Sequence, residues 1–357
     1  SYAKELVSKS LRDGSLGMST GLVYAHARSA PTEELVALAK VIKEFDGIYV
    51  THLRDEGINF LGAIEEAIKI AEESGVRLHI SHLKVMGELN WKLFDEGLRL
   101  IDHAYERGIN VSFDVFPYTN TGTVLYTLLP EWVSAGGKKL MIQRLRDPGI
   151  RPRVISEMKK SAIDYSKVEI AISSLNKTLS RKKISEIAKS QEKSIEDAII
   201  DVLIASEGRV ITSIESLSQE NVDKAIIHPL SIISTNGAGY NISHSKTGEK
   251  VHPRSFGTFP KVLLRYVMDK KILSWEEAIK KMTGAPAKKF GIKKRGEIKE
   301  KNFADIIIIN KNKIESLATQ ENPYQYSRGV EFVLVNGEII LASGEYNGIR
   351  AGRVLVR

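Results

Sequence analysis

Two histidines occupy equivalent positions in the sequence, each at the C-terminal end of a short apolar segment that predicts a β-strand. His52 ends the segment GIYVTH (47–52), and His82 ends the segment RLHISH (77–82). In a parallel βα architecture the C-terminal ends of the strands lie on one face, which is where active sites are built. The pattern predicts that both imidazoles bind one metal ion, with side-chain nitrogens about 4 Å apart. Two unrelated, satisfied polar side chains are the alternative.

The segments around these histidines alternate between strands and helices. Apolar residues at helical spacing follow the first strand at 60–74 and the second at 94–107, and a third strand is predicted at 110–115. Three strands joined by two helices in so short a stretch are close to the minimum length of a βα crossover. The sequence therefore predicts a parallel sheet with helices packed against it.

The alternation is interrupted after the third strand. Residues from about 120 to 165 contain Gly-Thr, Gly-Gly and Asp-Pro-Gly turns, which predict an inserted lid or small subdomain. The βα pattern then resumes, with strands predicted at 168–173, 210–214 and 231–235. From about Gly296 onward the segments are short, β-like and not separated by helices, which is typical of a small antiparallel sheet.

Composition excludes several classes of protein. Among 357 residues, 42% are hydrophobic and 27% are charged, which fits a folded protein with a substantial core. No apolar segment approaches the length of a membrane span and no signal-peptide pattern is present, so we expect a cytoplasmic protein with no membrane partner. Cysteine is absent, which leaves histidine and carboxylates as metal ligands. The net charge of +8 lies in lysine-rich stretches without interleaved aromatic residues, so we expect no binding of nucleic acid.

Eight segments carry a resemblance to one enzyme family: SLGMSTGLVY, THLRDEG, ISHLK, DVFPYTNTGT, HPRSFGTFPKVLLRYV, MTGAPAKKFGI, RGEIKEKNFADIIIIN and VLVNGEIILASGEYNGIRAGRVL. Over nearly its whole length the chain resembles the D-aminoacylase, or N-acyl-D-amino-acid deacylase, branch of the amidohydrolase superfamily. STGLVY, HPRSFGTFP and GIRAGRVL are specific to that branch. The resemblance implies a zinc-dependent hydrolase that cleaves the amide bond of a small-molecule N-acyl-D-amino acid.

The resemblance also implies a fold, an incomplete (β/α)8 TIM barrel with part of a small β-sandwich. Residues 1–290 would form the barrel, including the insertion at about 120–165, and residues 291–357 the C-terminal part of the sandwich. The family places a His-x-His pair and a cysteine ligand upstream of STGLVY. We therefore expect a fragment in which a strand near Ser15 to Ser19 and the C-terminal sheet expose unpaired edges and apolar surface.

The resemblance assigns His52 and His82 as metal ligands. It also assigns four residues that hold the substrate, namely Tyr24, Lys84, Tyr118 and Arg254. Fixed positive charges and phenol donors suit a substrate carboxylate. Without the resemblance, the tyrosines are equally compatible with rim or turn positions, and the cations with solvated surface charges.

One position departs from the family pattern. Asn236 lies in IISTNG, where the family carries an aspartate that takes a proton from the attacking water and passes it to the leaving amine. Because an amide cannot accept that proton, we expect absent or strongly reduced activity, unless the Asn236-Gly237 pair deamidates slowly to aspartate. Two alternatives are a non-catalytic homologue that binds an acyl-amino acid or a partner, and a hydantoinase- or dihydroorotase-like hydrolase of cyclic amides.

Overall fold

Strands and helices alternate through the first half of the chain and segregate in the second half. The computed structural model describes residues 2–357. Its strands are β1 Gly17–Gly21, β2 Ile48–His52, β3 Arg77–Ile80, β4 Val111–Val115, β5 Asn120–Val124, β6 Val168–Ser173, β7 Val210–Glu215, β8 Ser231–Ile233, β9 Ile306–Ile309, β10 Val330–Val335, β11 Glu338–Ala342 and β12 Glu345–Tyr346. Its α-helices are α1 Tyr2–Arg12, α2 Thr32–Glu44, α3 Phe60–Ser74, α4 Phe94–Glu106, α5 Glu131–Ser134, α6 Lys138–Arg146, α7 Arg151–Met158, α8 Ile184–Ser190, α9 Ile195–Ala205, α10 Gln219–Ile227, α11 Arg254–Val262, α12 Trp275–Met282 and α13 Gly284–Phe290.

A five-stranded parallel sheet positions the predicted metal ligands. Its strand order is β1-β2-β3-β4-β8, so within residues 2–357 the outer strands β1 and β8 each pair on one side only. β1 begins two residues later than expected, and its Gly21 pairs with His52 at the C-terminal end of β2. The parallel direction predicted for the first strands is confirmed, as is an open edge at β1.

Helices α3 and α4 cover one face of this sheet because their apolar residues recur at helical spacing. The helix α3 buries Phe60, Ile64 and Ile68 on one side. The Phe60 ring lies 6.2 Å from the Phe94 ring of α4. Gly97 permits this close approach, since a Cβ atom there would lie 2.5 Å from a Phe60 ring carbon. None of the helices in residues 2–357 is long and apolar enough to cross a membrane.

A separate antiparallel sheet corrects one prediction. The predicted strands at 168–173 and 210–214 are present, but they do not continue the parallel βα pattern. Instead β7 pairs antiparallel with both β5 and β6 in the order β5-β7-β6. Hydrophobic spacing indicates that a segment is a strand but contains no information about its direction, which is why the prediction was wrong. The excursion predicted to end near residue 165 thus includes strands up to Glu215.

The C-terminal region forms a four-stranded antiparallel sheet in the order β12-β11-β10-β9. Asn336 and Gly337 join β10 to β11 with φ angles of 51° and 87°, as expected for a tight hairpin turn. Ile307 and Ile339 are exposed to 59% and 45%. The predicted antiparallel sheet and its apolar exposed surface are confirmed, whereas the proposed domain boundary at 290 stays a prediction.

Truncating Phe113 tests how much the parallel sheet contributes to stability. Phe113 on β4 is completely buried. We expect Phe113→Ala to lower the free energy of unfolding by about 3–5 kcal/mol, because it leaves a cavity in a packed core. Ile298→Ala is the control, since that side chain is 89% exposed and its loss should change stability by no more than about 0.5 kcal/mol. Urea denaturation followed by circular dichroism measures both, and equal effects would contradict the described packing.

Candidate active site

Two histidines and a carboxylate converge at the C-terminal ends of β2 and β3. His52 is the last residue of β2, Glu56 lies in the loop that follows, and His82 comes just after β3. Glu56 Oε1 lies 3.5 Å from His52 Nε2 and 3.2 Å from His82 Nδ1. The two imidazole rings are 4.4 Å apart, and one potential ligand atom from each of the three residues lies within 4.8 Å of the others. The structure thus brings His52 and His82 together and adds Glu56.

Lys84 places a positive charge inside this group. Its Nζ donates to Glu56 Oε1 at 2.5 Å and lies 2.9 Å from His82 Nδ1. Burial would raise the pKa of Glu56, but the adjacent Lys84 ammonium and the hydrogen bond with His82 lower it, and the net pKa lies well below its usual range. Burial lowers the pKa of Lys84, and the Glu56 carboxylate opposes this change. Lys84 is therefore a buried partner of Glu56 and not a solvated surface charge.

The three side chains fit a divalent metal ion. Burial lowers the pKa of His52 to about 3, so the imidazole is neutral at physiological pH, as a metal ligand must be. Its Nε2 is buried without a hydrogen-bond partner, which leaves a lone pair or a proton unsatisfied. Two neutral imidazoles and a carboxylate are common ligands of zinc and related ions. A metal would satisfy the His52 nitrogen that the described residues leave unpaired.

A buried carboxylate holds His82 in place. Asp114 on β4 accepts the His82 backbone N–H at 3.0 Å and the Ser234 hydroxyl at 2.5 Å through Oδ1. Its Oδ2 accepts from His79 Nε2 at 2.9 Å. His82 has a φ of 38°, an uncommon backbone conformation for a non-glycine residue that needs such support. The other ring nitrogen of His79, Nδ1, forms a hydrogen bond with the Ser112 hydroxyl at 2.8 Å.

A cavity of about 280 Å³ lies beside this group, between the antiparallel sheet and two loops. Arg254, the first residue of α11, lines it and is only 9% exposed. The Nε and Nη1 atoms of Arg254 have no hydrogen-bond partner. Burial lowers the pKa of Arg254 to about 10, so its guanidinium still carries its charge at neutral pH. A buried, unpaired cation is costly, and an anion bound in the cavity would stabilise it.

Two of the other predicted residues line the same cavity. Tyr24 does so, with its ring 5.4 Å from the His52 ring, and it connects the cavity with the metal ligands. Asn236 follows the end of β8 with a φ of 44° and also lines the cavity. Tyr118 does not line it. The Tyr118 ring lies edge-on to His252 at 5.2 Å and below the Lys261 ammonium at 3.9 Å, and its hydroxyl lies close to Gly257.

The model of the amidohydrolase family matches residues 3–340. The chain belongs to this family. It is 30% identical to a D-aminoacylase of Alcaligenes xylosoxydans xylosoxydans over 99% of its own length and 64% of that protein. The chain therefore spans less than two thirds of the length of this relative.

Solved structures of family members agree with the fold described above. A D-aminoacylase structure concerned with a binuclear metal centre is 29% identical and superposes with a TM-score of 0.81, covering 99% of this chain and 65% of the other. An N-acyl-D-glutamate deacylase from Bordetella bronchiseptica, bound to zinc and a phosphonate inhibitor, is 26% identical with the same TM-score and coverage. The predicted family and fold class, a partial TIM barrel with part of a β-sandwich, are confirmed.

Three residues of the candidate site were not predicted from the sequence. Glu56 lies four positions after His52 in THLRDEG, a spacing that could have drawn attention to it. Asp114 lies near the end of a strand predicted as apolar, and a carboxylate inside such a strand is itself a signal of a buried role. Ser213 lines the cavity with its buried hydroxyl unpaired, but nothing in its sequence context distinguishes it.

Replacing Glu56 tests whether it is a metal ligand. We expect Glu56→Gln to weaken zinc binding at least about tenfold, because an amide oxygen is a poorer ligand than a carboxylate. The change also leaves Lys84 buried without its counter-ion and should cost about 3–5 kcal/mol of stability. Competition with a chelator measures affinity, and urea denaturation measures stability. Glu65→Gln on the exposed side of α3 is the control. Lower stability with unchanged zinc affinity would show that Glu56 serves only as the partner of Lys84.

Proposed function

We propose that the protein is a metal-dependent hydrolase of N-acyl-D-amino acids, which it cleaves to a carboxylate and a D-amino acid. The unpaired guanidinium of Arg254 carries the proposal, because Arg254 lines the same cavity as Tyr24, whose ring lies 5.4 Å from the His52 ring. A substrate of this class has one carboxylate next to its amide bond. The D-aminoacylase and deacylase names of the relatives support the same class.

Arg254 would hold the substrate by its carboxylate. A guanidinium presents parallel N–H donors that match the two carboxylate oxygens, and the low exposure of Arg254 strengthens that pairing. Burial raises the pKa of Tyr24, so its phenol stays protonated and can donate a hydrogen bond near His52. Together the two side chains would orient the amide bond toward the histidines.

We propose zinc as the metal, held by His52, Glu56 and His82. When bound, it would supply a Lewis acid that polarises the amide carbonyl and activates water. The protein keeps His52 neutral by burial, and Asp114 fixes the backbone of His82. The Lys84 ammonium, 2.5 Å from Glu56, orients this carboxylate between the two rings.

Proton transfer is the step for which the chain is poorly equipped. Asn236 lines the cavity at the end of β8, where a carboxylate would accept the proton of the attacking water, and its amide cannot do so. We therefore propose slow hydrolysis for the present sequence. Binding of acyl-amino acids without turnover is the second candidate function, and Asn236 is the observation that favours it.

Substituting Asn236 separates the two candidate functions. We expect Asn236→Asp to raise the turnover of N-acetyl-D-amino acids by about 10²–10⁴, the usual contribution of a general base. Steady-state kinetics with added zinc measures turnover, and mass spectrometry excludes prior deamidation of the parent protein. Asn241→Asp makes the same chemical change at an exposed neighbouring loop position and should have no effect. No hydrolysis by either the parent or Asn236→Asp would contradict an enzymatic function.

Removing the Arg254 cation tests the orientation of the substrate. We expect Arg254→Met to lower kcat/KM for N-acetyl-D-leucine about ten- to hundredfold, since a charge-assisted pair is lost. The parent protein and Arg254→Met should hydrolyse N-acetyl-D-leucinamide, which has no carboxylate, with equally low kcat/KM. A similar loss with acid and amide would mean that Arg254 supports the fold and does not bind the carboxylate.

A further inference from the structure

A second cation borders the cavity, but its charge is already compensated. The Nζ of Lys250, in the loop before α11, donates to both carboxylate oxygens of Glu169 on β6, at 2.7 and 2.8 Å. Their side chains are 12% and 20% exposed. The backbone N–H of Lys250 donates to Ala171 at 2.9 Å, which fixes the loop against the edge of β6. Lys250 lines the cavity, and Glu169 pairs with it from β6.

The cavity therefore offers a ligand a single free charge. Lys250 and Arg254 are the only charged side chains that line it in residues 2–357, since burial lowers the pKa of His252 to about 3 and keeps this ring neutral. Of the two cations, Arg254 alone lacks an acidic partner among the described residues. The cavity lining includes five aliphatic side chains, Val124, Ala171, Ile172, Ile211 and Val251, together with the hydroxyl residues Thr123, Thr212 and Ser213.

We propose that the Glu169–Lys250 pair determines which amino-acid side chains the cavity accepts, favouring uncharged D-side chains and excluding acidic ones. This role rests on the proposed function, in which Arg254 binds the α-carboxylate of the substrate. The Glu169–Lys250 pair then acts on the amino-acid side chain. A second carboxylate would then enter a space lined by aliphatic and hydroxyl side chains, with no free cation and with the charge of Glu169 nearby. Burying an unpaired carboxylate is far more costly than burying an alkyl group.

Neutralising Glu169 should convert the pair into a binding site for an acidic side chain. In Glu169→Gln the Lys250 ammonium keeps its position in the wall but loses its counter-ion. A carboxylate of the ligand can then take the place of the Glu169 carboxylate. Neutralising Lys250 should have the opposite effect. In Lys250→Gln the Glu169 carboxylate is left unpaired, which favours a cationic side chain and further disfavours an acidic one.

Calorimetric binding of three ligands with a neutral, an acidic and a basic side chain tests this scheme: N-acetyl-D-leucine, N-acetyl-D-glutamate and N-acetyl-D-lysine. We expect the parent protein to prefer the leucine ligand over the glutamate ligand at least about tenfold. Glu169→Gln should shift the glutamate-to-leucine affinity ratio at least about tenfold toward glutamate, and Lys250→Gln should shift the lysine-to-leucine ratio by a similar factor toward lysine. Glu249→Gln makes the same chemical change next to Lys250, outside the cavity lining, and should leave the ratios unchanged.

The outcomes separate the two proposals. Unchanged ratios in both variants, with leucine-ligand affinity retained, would overturn a role for the pair, as would a parent protein that prefers the glutamate ligand. Circular dichroism identifies a variant that does not fold, in which case the other variant decides. If the affinity ratios change as expected but neither the parent protein nor Asn236→Asp hydrolyses the ligands, the role of the pair is supported and only the catalytic function is contradicted. Binding of none of the ligands by the parent would overturn both.

Discussion

The candidate site depends on a buried carboxylate that several segments share. Asp114 on β4 accepts hydrogen bonds from the His82 backbone just after β3, from the Ser234 hydroxyl just after β8 and from the His79 ring on β3. A buried carboxylate must be satisfied by donors, and each donor here belongs to a segment that borders the site. His82 keeps its uncommon backbone conformation because this acceptor binds its N–H. The ends of β3, β4 and β8 are thereby fixed relative to one another on the side where the metal ligands lie.

Two of the three cations near the site are paired with carboxylates of the protein, and the third is not. Lys84 pairs with Glu56, and Lys250 pairs with Glu169. Arg254 has no acidic partner in residues 2–357, although it is as deeply buried as Lys84. Evolution rarely retains an uncompensated buried charge for stability, because its desolvation is costly. The contrast among these three cations is the strongest physical reason to place a ligand carboxylate beside Arg254.

The amino-acid sequence was sufficient for the position of His52 and His82, since apolar runs and helical spacing determine which strand ends share one edge of a parallel sheet. It was insufficient for β6 and β7, because the direction of a strand depends on its tertiary partners. Glu56 escaped notice because an acidic residue just before a helix is common and is usually a helix-stabilising charge. Tyr24 and Arg254 were identified only through the family resemblance, and the same resemblance suggested Tyr118, whose ring packs against His252 outside the cavity.

The placement of the β5-β7-β6 sheet has a consequence for how this protein can diversify. The predicted metal ligands lie at the C-terminal ends of β2 and β3 in the parallel sheet, whereas one wall of the cavity belongs to a separate antiparallel sheet. Mutations on β6 or β7 can therefore change the shape or charge of that wall while the hydrogen bonds around the candidate metal ligands stay intact. Such an arrangement lets a lineage change the ligand that it binds through a few substitutions, none of which needs to disturb the candidate metal site.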